Sequence, residues 1–135
     1  MTTLVGDADR GIVIADRNPH VRETLRRVLR QMGIQSVTLE ATTFREALRI
    51  VRTTGARIVL LDVELAMAQP AARLRRIVAG ISGLLVVVLL NEDLPGYRQA
   101  IADRWGYDCV AKERAEAELP SALRDIITPL HARQA

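Results

Sequence analysis

The run Ile58-Val59-Leu60-Leu61 stops abruptly at a carboxylate, Asp62. Large aliphatic residues with no polar alternation predict a strand covered on both faces, as in the middle of a parallel sheet. In open α/β sheets the ligand crevice lies beyond the carboxyl ends of the strands, so Asp62 stands where chemistry is done. The competing reading is that Asp62 caps the turn that follows. Gly83 to Leu90 is a second run of the same kind and leaves through Asn91-Glu92-Asp93.

The chain of 135 residues is 49% hydrophobic and is read as one domain over 1–135, with 1–10 a loose lead-in and no output domain. No apolar run approaches the ~18 residues of a membrane span, and Met1-Thr2-Thr3 does not open a signal peptide, so the expectation is a cytoplasmic protein with no membrane partner. The single Cys109 excludes an internal disulfide and a cysteine-cluster metal site. A pI near 9.7 is offset by 19 basic against 16 acidic residues, a net charge of +3, and 3% aromatics, which leaves nucleic acid without a footprint. Lys112 is the only lysine among many arginines.

Gly11 to Ala15 predicts the first strand, and it too ends at an acid, Asp16. Asn18 is placed to cap a helix and Pro19 to take its first position, with Val21, Leu25, Val28, Leu29 and Met32 on one face and Gly33 as the stop. Arg22, Arg26, Arg27 and Arg30 make the rest of that helix basic, first as a solvated face and second as a docking surface for an acidic partner. Ile34 to Leu39 predicts the second strand. Thr43-Phe44-Arg45-Glu46 has the form of a capping box, opening a second helix with Phe44, Ala47, Leu48 and Val51 inward and Gly55 at its end. Val63 to Ala68 reads as a loop, and Pro70 as the start of a third helix carrying Leu74, Ile77, Val78 and Ile81. Pro95 opens a fourth, with Ile101 inward and Tyr97 and Trp105 along it. Tyr107 to Ala111 is the fifth strand. Pro120 falls in the first turn of a fifth helix through Leu123, Ile126 and Ile127, which Pro129 ends or kinks. Strands alternating with helices predict a doubly wound α/β fold on a five-stranded parallel sheet.

With the strands ordered 2-1-3-4-5, Asp16, Arg17, Asp62 and Lys112 converge on one sheet edge. The segments Ile12 to Pro19, Ala41 to Leu48, Val59 to Asp62 and Val110 to Lys112 resemble the receiver domain of two-component response regulators over nearly the whole chain. The resemblance implies a flavodoxin-like receiver fold in a bacterial phosphorelay. Asp62 would accept a phosphoryl group from a histidine kinase, and Lys112 would contact it. Mg²⁺ would be held by Asp16, Asp62 and, at the position two residues on, Glu64. Other implied partners are phosphotransfer proteins at the first helix and a second copy through the fourth helix, fifth strand and fifth helix.

The sequence also departs from that family. A second acid is usual after the first strand, and Arg17 stands there, a change of two charge units that disfavours Mg²⁺. Arg17 is therefore expected to enter the metal position and pair with Asp62 or Asp16, with outward exposure as its alternative. Glu64 either pairs with Arg17, supplies part of the missing ligand, or is a solvated loop acid. Leu90 replaces the usual Thr or Ser, with Asn91 available after a one-residue slip, and Cys109 replaces the reorienting aromatic and is read as a buried core thiol. The leading expectation is a non-enzymatic, atypical single-domain receiver that works as a protein-interaction module with phosphorylation weakened or lost. The second is a working phosphoacceptor using Asp62, Lys112 and a modified Mg²⁺ site. The third, a nucleotide- or flavin-binding enzyme, lacks a Gly-rich turn after the first strand, and His20 and His131 have no nucleophile spaced for a triad.

Overall fold

A computed structural model describes residues 11–34 and 37–124. Five strands, β1 (Ile12–Ala15), β2 (Thr38–Ala41), β3 (Ile58–Asp62), β4 (Leu85–Leu90) and β5 (Asp108–Ala111), form one parallel sheet in the order β2-β1-β3-β4-β5. The helices are α1 (Pro19–Gln31), α2 (Phe44–Thr54), α3 (Val63–Met67), α4 (Ala71–Ala79), α5 (Pro95–Arg104) and α6 (Ala115–Ala122), with a 3₁₀ turn at Lys112–Arg114 before α6. The doubly wound architecture and strand order follow the sequence expectation.

Alternation along the buried strands sorts their side chains to two faces. Ile12, Ile14, Ile58, Leu60, Val87 and Leu89 pack against Leu25, Val28 and Leu29 of α1 and Leu119 of α6. Val13, Ala15, Val59, Leu61, Val86 and Val88 meet Ala47 and Val51 of α2, Leu74 of α4 and Ile101 of α5. Both faces are covered, so β1, β3 and β4 need no polar alternation.

Four details differ from expectation. Ile34 is not in the second strand: its N–H bonds to Leu29 O at 3.1 Å while Gly33, at φ 82°, bonds to Arg30 O at 2.9 Å. This left-handed end seals α1, buries Ile34 as a hydrophobic plug, and delays β2 to Thr38. Val63–Met67 is a short helix rather than a loop, because Asp62 caps it. The 3₁₀ turn starts the last helical run directly after β5, so Pro120 falls inside α6 and not in its first turn. Trp105 is the residue that ends α5, where its indole N–H donates to Ala71 O at 3.2 Å. The expected lead-in at 1–10, and Ile126, Ile127 and Pro129, lie outside the described residues.

The capping box forms in a shifted version: Thr43 Oγ1 accepts from Glu46 N at 3.0 Å, and Glu46 Oε1 accepts from Thr42 N at 2.8 Å. Leu60, in the middle of β3, is fully buried. The substitution Leu60→Ala is expected to cost about 2–5 kcal/mol of unfolding free energy, read from urea denaturation followed by circular dichroism.

Candidate functional site

Parallel pairing puts the strand ends side by side. Ala15 is in register with Leu61, so Asp16 emerges beside Asp62, and Leu90 pairs with Ala111, so Asn91 emerges beside Lys112. Asp16 and Asp62 are the buried acids of the described residues, at 3% and 5% exposure. Lys112 Nζ reaches across the sheet edge to both, 2.6 Å from Asp16 Oδ2 and 2.6 Å from Asp62 Oδ1. It also donates to Asn91 Oδ1 at 2.6 Å. The Asp62 contact is an aligned hydrogen bond, whereas Asp16 Oδ2 receives the ammonium's charge without aligned hydrogen-bond geometry.

Each acid is also held by backbone. Asp16 Oδ1 accepts from Asn18 N at 2.8 Å, Asp16 N donates to Ala41 O, and Arg22 Nη1 donates to Asp16 O at 2.7 Å. Asp62 Oδ2 accepts from Glu64 N at 3.1 Å and Leu65 N at 3.2 Å, the first N–H groups of α3. Both sequence readings of Asp62 therefore meet in one side chain: it is a strand-end acid and a helix cap.

Arg17 is exposed and, among the described residues, forms no ion pair with Asp16 or Asp62. The expectation that it enters the metal position is corrected: Lys112 holds the place between the carboxylates, and with Asp16 Oδ1 already bonded to Asn18 N the turn carries the next side chain outward. Glu64 neither meets Arg17 nor joins the acids. Its Oε2 accepts from Asn91 Nδ2 at 3.0 Å, giving a chain of contacts Asp62–Lys112–Asn91–Glu64. Leu90 is buried in the core, so the polar group at this strand end is Asn91. Cys109 is half-buried, not the buried core thiol expected, and burial pushes its thiol pKa up against the opposing charge of Arg98.

Burial opposes the charge on Lys112, but its contacts with Asp16 and Asp62 outweigh that and hold its pKa above the ordinary 10.5. The ammonium's contribution to stability is thus fully present below 10.5 and disappears only as pH rises through the higher folded value. Among the described residues no group of three or more acidic, His or Cys side chains converges on a metal position. Two carboxylates are nevertheless enough for Mg²⁺, which keeps several of its waters, and the buried Asp16 Oδ2 has no aligned donor. The residues fit the ion as a two-carboxylate site in competition with Lys112, with Glu64 turned to Asn91.

Two features were not read from the sequence. Glu40, on edge strand β2, binds Arg22 at 2.6 Å and Arg26 at 2.9 Å, so two arginines of the basic face of α1 share one carboxylate from within the fold. Arg98 of α5 ties three elements together: it pairs with Asp93 at 2.8 Å and Glu118 at 2.8 Å and donates to Cys109 O at 3.3 Å. Arg114 joins Asp93 at 3.1 Å, and Glu118 Oε1 accepts from Ala111 N at 2.9 Å. The Arg114–Glu118 pair has the helical spacing of four residues, whereas Arg98–Glu118 and Arg114–Asp93 join positions 20 and 21 residues apart. Burial works against ionisation of Glu118, but the Arg98 and Ala111 hydrogen bonds prevail and lower its pKa below the ordinary 4.5.

A family model described as the response regulator receiver domain matches residues 12–124. The Salmonella typhimurium RcsB response regulator superposes with a TM-score of 0.73 at 21% identity, covering 88% of this chain and 60% of that one. The non-phosphorylated receiver domain of RcsB from Escherichia coli gives 0.72 at 21% identity, covering 88% and 93%. A LuxR-family two-component response regulator from Aurantimonas gives 0.70 at 24% identity, covering 88% and 85%. No curated protein matches the chain. At these identities the structural likeness concerns the fold, and the chain spans only part of the Salmonella protein's length.

Two outcomes are expected from this geometry. Lys112→Met leaves two buried carboxylates facing each other and is expected to lower stability by about 3–5 kcal/mol at pH 7. Millimolar Mg²⁺ is expected to raise the Tm of that variant more than that of the unsubstituted chain. Glu118→Gln is expected to cost about 1–2 kcal/mol at pH 7, given its partial exposure. Because the Glu118 pKa is lowered in the fold, that contribution exists above 4.5 and is lost as pH falls through the folded value. Urea titrations at a series of pH values are therefore expected to show the gap between Glu118→Gln and the unsubstituted chain closing in acid.

Proposed function

The chain belongs to the response regulator receiver family, and from that premise we propose that it is an atypical receiver working as a protein-interaction module, with phosphoryl transfer to Asp62 weakened or lost. The family is a signalling module of two-component systems whose members interact with histidine kinases and phosphotransfer proteins. The observation that carries the reading is the acidic pocket: Arg17 stands where a second acid would follow Asp16 and faces outward, and Lys112 Nζ lies 2.6 Å from both remaining carboxylates.

A carboxylate nucleophile needs a free lone pair and cations that neutralise the charge gathering on the phosphoryl oxygens. Here Oδ2 accepts two hydrogen bonds and Oδ1 one, so Oδ1 is the oxygen that keeps a lone pair for attack, beside the Lys112 ammonium. Mg²⁺, when bound to Asp16 and Asp62, would supply charge neutralisation at the phosphoryl group. Lys112 would then have to move off Asp16 while keeping its contact toward the incoming phosphate. Arg17 faces outward and offers no oxygen in place of the missing acid. Leu90 has no hydroxyl to follow the phosphate, and Cys109 has no ring to reorient.

On this reading the domain presents a fixed surface, in the cytoplasm of a bacterium, to a histidine kinase, phosphotransfer or other signalling protein. Tyr97, exposed on α5, and the face of α5, β5 and α6 offer a surface for a second copy. No nucleic acid or membrane enters the proposal.

One observation favours the working phosphoacceptor as a second reading: Asn91, bonded to Lys112, places an amide beside the site where Leu90 offers nothing polar. Intact-mass measurement after incubation with Mg²⁺ and acetyl phosphate, beside Asp62→Asn, separates the two. The proposal expects no phosphate-sized gain or a small fraction of one. A stoichiometric gain in the unsubstituted chain, absent from Asp62→Asn, would replace it with the second reading.

A further inference from the structure

Four large apolar side chains stand exposed among the described residues, and three of them, Met67, Leu94 and Tyr97, belong to α3 and the start of α5. Met67 and Tyr97, at 48% and 47% exposure, line a groove of about 690 Å³ between these helices and the end of β4. Leu94 sits just outside, accepting from the Tyr97 N–H at 3.0 Å. The floor is Leu90 and Ile101, both buried, and the sides are Val63 and Ala100. An apolar concavity with half-exposed large side chains at its mouth marks an interaction surface.

Its rim has the opposite charge to the rest of the chain. Glu64, Glu92 and Asp103 line it against one guanidinium, Arg104, which lies over the Trp105 ring at 5.0 Å. The whole chain carries a net charge of +3, so a rim with three carboxylates and one cation is a local reversal. Such a rim repels anionic lipid and acidic proteins and selects a basic partner. The exposed Met67 and Tyr97 require an occupant large enough to cover both, which favours a polypeptide.

We propose that this groove docks a basic amphipathic helix of a partner protein. Apolar side chains spaced three and four residues apart enter between α3 and α5, and flanking Lys or Arg residues lie over Glu64, Glu92 and Asp103. The proposal rests on the interaction-module reading and names the chemistry of the partner. It also gives the partner a route to the strand-end site. Glu64 accepts from Asn91, and Asn91 accepts from Lys112, so a cation drawn to Glu64 acts on the group that holds Asp16 and Asp62 together.

The test uses the full chain and a labelled Leu/Lys peptide of about 18 residues patterned as an amphipathic helix, followed by fluorescence anisotropy. The controls are a Leu/Glu peptide of the same pattern and a Leu/Lys peptide of scrambled spacing. Two variants at exposed positions probe the groove, Ala100→Trp to fill it and Glu92→Lys with Asp103→Lys to reverse its rim, each checked for fold by circular dichroism. Binding of the patterned Leu/Lys peptide is expected to weaken with added salt and to drop about tenfold or more in each variant. Absence of binding, equal binding of either control peptide, or indifference to both variants overturns the proposal. Phosphate gain at Asp62 with peptide binding intact removes the weakened-phosphotransfer reading alone; no phosphate gain and no peptide binding removes the docking groove alone.

Discussion

Two carboxylates at neighbouring strand ends, both nearly closed to water, repel each other, and the fold sets a cation between them. Unit charges about 4 Å apart in a partly buried setting interact by about 4 kcal/mol, which is comparable to the stability of a small domain. The Lys112 ammonium, 2.6 Å from each acid, supplies that cation, and the sheet order puts it within reach from the far edge strand. The arrangement joins β1, β3 and β5 at their carboxyl ends. Backbone pairing holds the strands together along their length; charge holds their tips.

Asp62 is a strand-end acid and a helix cap at once. Its Oδ2 begins α3 by accepting from Glu64 and Leu65, and its Oδ1 is bonded to the ammonium. A side chain held at both oxygens is a well-fixed anchor for the strand end and for the helix it starts. On the proposed reading, the departures at Arg17, Leu90 and Cys109 each remove a part that a phosphate-driven switch would use.

The fold was legible because the buried strands have no polar residues to confuse their reading and because Gly, Pro and capping residues mark most of the helix boundaries. The receiver resemblance, the strand order and the convergence of Asp16, Asp62 and Lys112 were all readable for that reason. Boundaries were missed where an apolar residue served a different purpose, as when Ile34 plugs the end of α1 instead of opening β2. The fate of Arg17 was missed because direction is set by the turn's own hydrogen bonds, in which Asp16 and Asn18 participate. The Arg98 lattice was missed because it joins residues up to 21 positions apart, and no local spacing announces such a pair.

That lattice has an architectural effect. Strand β5 lies at the border of the sheet, where unpaired backbone groups invite another strand to attach. Cys109 O, however, accepts from Arg98, and Ala111 N donates to Glu118, so side chains from α5 and α6 occupy polar positions that an incoming strand would use. A second copy meeting this face finds two of the strand's backbone groups already taken, which favours contact through side chains. The ion-pair cluster therefore acts as a selvedge: it finishes the border of the sheet and directs self-association away from the open-ended strand addition that leads to fibres.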